Sequence, residues 1–153
     1  MPPLFTGALA ESLNKKSRAE VQEAQHGQLL KSGHIYIAPG GSQMKVNLKT
    51  GNATLEITDD PPENFCKPSV DYLFRSVSEA FGKQCLGVIM TGMGSDGVKG
   101  LQEMKAAGAT ILAQDEATST VFGMPMVAIK AGVVDKIVPL QEIAGTITRT
   151  ITS

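Results

Sequence analysis

The stretch CLGVIMTGMGSDG, Cys85 to Gly97, holds the residues best spaced for chemistry. An apolar run leads into a loop of glycines with one carboxylate, Asp96, and the helical pattern VKGLQEMKAAG follows. Such a loop lies at the carboxyl end of a strand and the amino end of a helix. Open parallel sheets place ligands there, and free backbone N–H groups carry partial positive charge. Three uses of the loop are open. Gly92, Gly94 and Gly97 fit a GxGxxG dinucleotide fingerprint, with Asp115 and Glu116 near the place of a ribose-binding acid. Against that, Asp96 would crowd a pyrophosphate at the same helix start. Alternatively, Asp96 orients an imidazole while backbone N–H groups of the loop stabilise an oxyanion. The third use is structural, with Asp96 capping the helix that follows it.

Other reactive side chains are sparse. The histidines are His26, in a turn before Gly27, and His34, at the start of an apolar run. Both read as exposed or edge positions. Ser95 adjoins Asp96, but a carboxylate is a poor base at neutral pH, and Ser42 reads as a turn residue. Cys66 lies beside Lys67, which could activate a thiol. An ordinary loop cysteine is the plainer reading, and Cys85 reads as core. Neither cysteine belongs to a CxxC pair, which excludes a cysteine-built zinc site and a disulfide scaffold and suits a reducing compartment. Of the seven methionines, Met90, Met93, Met124 and Met126 could line a groove, with core filling expected for most.

The elements that must position the loop follow from periodicity. Leu4, Phe5, Ala8, Leu9 and Leu13 share one face of a helix that begins almost at residue 1, with prolines in its first turn. AEVQEAQ and HIYIAPG read as short strands. SQMKVNL and NATLEIT form a hairpin around Lys49 to Asn52, with Met44, Val46, Leu48, Leu55 and Ile57 on its buried face. Val70, Leu73, Phe74, Val77 and Phe81 space a helix with Ser69 as its N-cap and Gly82 at its close. Strand and helix then alternate: CLGVIMT, VKGLQEMKAAG, ATILAQ, GMPMVAIKAG, VVDKIV, and a last helix marked by Leu140, Ile143, Ile147 and Ile151. Alternation of this kind specifies an α/β fold, a doubly wound, mostly parallel sheet with helices on both faces, here with the hairpin as an antiparallel annex.

The 153 residues suit one domain, and 42% hydrophobic against 19% charged residues permits a full core. Fourteen basic and 15 acidic residues give a net charge of −1, which argues against a dedicated nucleic-acid binder. No apolar run approaches the roughly 18 residues of a membrane span, and the first ten residues lack the charge and apolar core of a secretory signal. The expectation is a cytoplasmic protein without membrane insertion.

Several separate segments together resemble the catalytic domain of the chemotaxis protein-glutamate methylesterases, the CheB family. They are TGMGSDGVKGLQEMKAAGATILAQDEATSTVFGMP, HIYIAPGG at His34 to Gly41, KPSVDYLFRSV at Lys67 to Val77, and the opening MPPLFTGALAESLN. The resemblance implies hydrolysis of glutamate methyl esters, and deamidation of glutamines, on the cytoplasmic helices of methyl-accepting chemoreceptors. It implies no cofactor and no metal. It also implies a Ser-His-Asp triad in that chain order, with Asp96 as the acid and the Met93 backbone N–H as an oxyanion donor. Gly92, Gly94 and Gly97 would shape the supporting loop. Lys67 stands where the family commonly has arginine, which puts any bidentate contact there in doubt. The family's serine lies in a G-x-S-x-G-G turn and its histidine immediately precedes Met-Pro-Pro. Neither occurs in residues 1–153, so the expectation is an incomplete methylesterase domain without its first strands and without a receiver domain. Such a chain is inactive alone, and a non-catalytic receptor-binding remnant is the alternative.

Overall fold

The structure, a computed structural model, describes residues 1–152. Helix α1 spans Pro3–Asn14, and short strands β1 (Glu20–Glu23) and β2 (His34–Ile37) follow. The hairpin β3 (Gln43–Lys49) and β4 (Asn52–Thr58) leads to α2 (Val70–Phe81). From there the chain alternates through β5 (Leu86–Ile89), α3 (Val98–Ala106), β6 (Thr110–Gln114), α4 (Met124–Lys130), β7 (Lys136–Val138) and α5 (Leu140–Thr152). Local chemistry sets these limits. Pro3 pre-forms the first turn of α1, the Ser69 hydroxyl accepts from Tyr72 N–H at the start of α2, and Gly82 closes that helix at φ 53°.

The α/β class, the parallel strands with covering helices and the antiparallel hairpin are all present. The parallel strands lie in two sheets, β1–β2 and β5–β6–β7, and the hairpin forms a third. In the larger sheet Leu86 pairs with Thr110 and Leu112 with Lys136, both in parallel register. The outer edge of β5 has no strand partner among the described residues. Ile111 and Ala113 join Ile89, Leu101, Met104 and Ala128 in a core under α3 and α4. On the opposite face, Thr110 and Val138 border a groove with Thr146 of α5.

Helix α2 joins two cores. Phe74 and Val77 pack against the core of the β5–β7 sheet, whereas Leu73 packs on the cluster of Ala24, Met44 and Leu55. The Ser76 hydroxyl, buried in the same helix, accepts from Val46 N–H at 2.9 Å and so ties α2 to the hairpin. In α1 the buried face is not the apolar one read from periodicity. Thr6 and Ala10 are buried, while Leu4 is 92% exposed and Phe5 and Leu13 are also exposed. Close docking explains this choice of small residues. Gly40 N–H donates to the Thr6 hydroxyl at 2.9 Å, and a Cβ on Gly40 would lie 2.5 Å from the Pro2 carbonyl oxygen.

Candidate functional site

The loop after β5 is fixed at both ends. Gly92 N–H donates to Val121 O at 3.0 Å, and Gly92 O accepts from Met124 N–H at 2.8 Å, at the start of α4. A Cβ on Gly92 would stand 2.4 Å from the Met124 sulfur. The buried Gln114 side chain accepts from Thr91 N–H at 2.9 Å and donates to Thr118 O at 2.8 Å. Gly94 and Gly97 have φ of 93° and 98°, which non-glycine residues adopt at a cost. Between them the chain turns Asp96 inward.

Asp96 is 5% exposed and reaches across to α2. Its Oδ1 accepts from the Ser69 hydroxyl at 2.7 Å, Asn64 Nδ2 at 3.1 Å and Asp71 N–H at 3.2 Å. Its Oδ2 accepts from Val70 N–H at 2.7 Å. The capping role considered for Asp96 is therefore real but falls on another helix. Asp96 caps α2, whereas α3 begins at Gly97 with no side-chain cap. Burial pushes the Asp96 carboxyl up, but the Val70 N–H, the Ser69 hydroxyl, the Asp71 N–H and the Asn64 amide together hold it below the ordinary carboxylate range. It is an anion at neutral pH.

Beside this carboxylate opens a cleft of about 300 Å³, lined by Asn64, Phe65, Cys66, Met93, Gly94, Ser95 and Asp96. Met93 is 84% exposed at the rim and Phe65 is fully exposed. The Met93 N–H has no hydrogen-bond partner among the described residues. Burial raises the Cys66 thiol, and the Asp96 carboxylate raises it further, while the positive amino terminus acts in the opposite direction. Cys66 is thus a neutral thiol and not an activated nucleophile.

His26 and His34 are not in this cleft. His26 Nδ1 lies against the Ile57 backbone, and His34 pairs with Glu20 on β1. Asp115 caps its own turn through Thr118, and Lys67 Nζ donates to Asp59 Oδ1 at 2.6 Å. Val70 Cγ1 lies 2.9 Å from where a Cβ on Gly97 would fall, so α2 packs against the first turn of α3. Among the described residues no cluster of three or more His, Cys, Asp or Glu could hold a metal. No helix among them is long and apolar enough to cross a membrane.

Sequence spacing did not reveal Asn64 and Asp71. Asp71 is 1% exposed; its Oδ1 accepts from Gly100 N–H at 2.8 Å and its Oδ2 from Asn64 Nδ2 at 2.7 Å. The carboxylates of α2 and of the α3 loop thus each bind the other helix's backbone. A Cβ at Gly100 would meet Phe74 Cβ at 2.5 Å, so glycine permits this approach. The available signal was the segment Asn64 to Asp71, which places an amide, a hydroxyl and a carboxylate around one helix start.

Comparison with known proteins bears on nearly the whole chain. The family model for CheB methylesterase matches residues 1–147. A protein-glutamate methylesterase/protein-glutamine glutaminase of Desulfotalea psychrophila is 50% identical over 153 residues, covering 99% of this chain and 42% of the relative. One from Photorhabdus laumondii is 50% identical over 144 residues, 94% of this chain and 41% of the relative. The chain therefore spans about two fifths of the length of these curated relatives. The crystal structure of the Thermotoga maritima CheB methylesterase catalytic domain superposes with a TM-score of 0.96 at 35% identity, covering 98% of this chain and 79% of that one. Loop, carboxylate and helix start thus sit in a fold shared along nearly the whole chain, and these 153 residues belong to the CheB methylesterase family.

Proposed function

We propose that residues 1–153 build the acid side of a serine hydrolase that removes methyl esters from glutamate side chains of a protein. Deamidation of glutamine side chains is the parallel reaction, and the substrates are the cytoplasmic helices of chemoreceptors. One observation carries this reading. Asp96 is a buried, ionised carboxylate whose Oδ1 is filled by three donors, while Oδ2 holds one strong donor at the edge of an open cleft. The remaining direction on Oδ2 suits an imidazole N–H.

In this mechanism a serine and a histidine, contributed by residues outside this sequence, complete the triad. The serine Oγ attacks the ester carbonyl while the imidazole takes its proton. Asp96 fixes the imidazole tautomer and balances the imidazolium charge. The Met93 N–H, unpartnered among the described residues, donates to the oxygen of the tetrahedral intermediate. The imidazolium returns its proton to the leaving methanol, or to ammonia from an amide, and water then hydrolyses the glutamyl-serine ester.

The test is methanol release from methylated receptor. The natural polypeptide containing these residues together with the triad serine and histidine turns over, and the 153-residue chain alone does not. Asp96→Asn in the natural polypeptide lowers kcat by on the order of 10⁴-fold. Turnover by the 153-residue chain that is lost in Asp96→Ala would replace this mechanism with a rearranged site.

A further inference from the structure

Asn64 places one side-chain nitrogen between two carboxylates. Its Nδ2 donates to Asp71 Oδ2 at 2.7 Å and to Asp96 Oδ1 at 3.1 Å. Both neighbours are acceptors only, so the nitrogen and not the oxygen of the amide must face them. The two hydrogens of that nitrogen serve one carboxylate each. Asp71 is in turn held by Gly100 N–H on α3.

The backbone is shaped to deliver this amide. Glu63 and Cys66 exchange hydrogen bonds, Cys66 N–H to Glu63 O at 2.7 Å and Glu63 N–H to Cys66 O at 3.2 Å. The two residues between them, Asn64 and Phe65, have φ of 50° and 61°. Two consecutive positive φ values define a tight turn in which asparagine is favoured, whereas a bulky residue is costly at the second position. The Glu63 carboxylate is tied to Arg75 of α2. Strain held in this way, beside a candidate catalytic group, points to a function for the turn.

We propose that Asn64 is a positioning residue for the hydrolysis: braced by Asp71, its amide occupies Asp96 Oδ1, so that Oδ2 is the oxygen presented to the cleft. The proposal rests on Asp96 being the acid of the triad. A carboxylate free to turn would still neutralise an imidazolium, but it would not hold the ring in one orientation. The loss therefore falls on kcat and not on substrate binding. The groups facing Asp96 are Asp71, Ser69 and the backbone of α2, with Asn64 and Cys66 from the turn. Arg75, whose charge also senses Asp71, is engaged by the Glu63 carboxylate.

Two variants separate the amide from the turn. Asn64→Gly accepts the positive φ and removes the amide. Asn64→Asp also tolerates the turn but replaces the donor with a third carboxylate. In the natural polypeptide, Asn64→Gly lowers kcat for methanol release about tenfold, the cost of one charge-assisted hydrogen bond, and changes KM less than about twofold. Asn64→Asp loses more. In the natural polypeptide, the carboxyl titration of Asp96, followed by ¹³C NMR, moves upward in Asn64→Gly. A turn-forming role alone would leave it in place. Unchanged kcat in a folded Asn64→Gly, with Asp96→Asn inactive, overturns the positioning role alone. Unfolding of both variants overturns it as well and assigns Asn64 to the fold. No methanol from the wild type, or full rate in Asp96→Asn, overturns the hydrolase reading, and the positioning role falls with it.

Discussion

At the scale of the residue, Asp96 does two jobs that pull in different directions. As a cap it must be saturated by donors from α2, and as a triad acid it must keep one acceptor direction for a partner. The split between Oδ1 and Oδ2 reconciles them. Because the donors outweigh burial and lower its pKa, Asp96 stabilises the fold fully above its unfolded pKa of about 3.9. That contribution disappears as pH falls through the lower folded value. Asp96→Asn is therefore expected to cost about 2–3 kcal/mol near pH 6, where the charge-assisted bonds are lost. The gap to wild type narrows in urea melts carried to about pH 3. A gap that stays constant with pH would mean that the carboxylate charge contributes nothing. Asp96 was legible in the sequence because a lone carboxylate inside a glycine loop is conspicuous. Asn64 and Asp71 were not, because they meet Asp96 across 32 and 25 residues of chain and no local periodicity records such a contact.

At the scale of the element, most of the architecture was legible because each piece satisfies its own chemistry. The hairpin register Met44 with Ile57 and Val46 with Leu55 follows from period-two alternation. Ser69 and Gly82 mark α2 as expected. The failures were Leu48, read as buried in the hairpin but 45% exposed near the end of β3, and α1, where the longest apolar stripe is not the buried one. Periodicity identifies a face but not its partner, and here α1 docks on β1 and β2 while burying the small side chains of Thr6 and Ala10. The α2–α3 crossing obeys the same rule through Gly100, whose added Cβ would lie 2.5 Å from Phe74 Cβ and 3.2 Å from Asp71 O. Gly100→Ala gains up to about 1 kcal/mol of helix propensity, but overpacking of 1–3 kcal/mol and displacement of the Asp71 bond exceed it. A net loss of about 2 kcal/mol in urea melts is expected. A stabilised Gly100→Ala would show that the two helices can part, and would remove the reciprocal brace on Asp96.

At the scale of the whole molecule, α2 and the hairpin hold together two parallel sheets that share no ladder. Beside this divided sheet the surface is unusually apolar: Leu4, Phe5 and Leu13 of α1 and Ile35 of β2 are all exposed. Leu13 and Ile35 also border one shallow groove with Val21. The outer edge of β5 presents backbone groups without a strand partner among the described residues. An open edge with an apolar flank invites pairing with another chain. The 153-residue chain alone is therefore expected to self-associate at about 50 µM, within the micromolar range where such surfaces become sticky, and to melt over a broad range. In sedimentation velocity, the double substitution Leu4→Glu and Phe5→Glu shifts the distribution toward monomer, because the charges oppose burial of the α1 stripe without touching Thr6 or Ala10. A wild-type chain that sediments as a monomer and unfolds in one sharp transition would show that α2 and the hairpin alone make the two sheets a single cooperative unit.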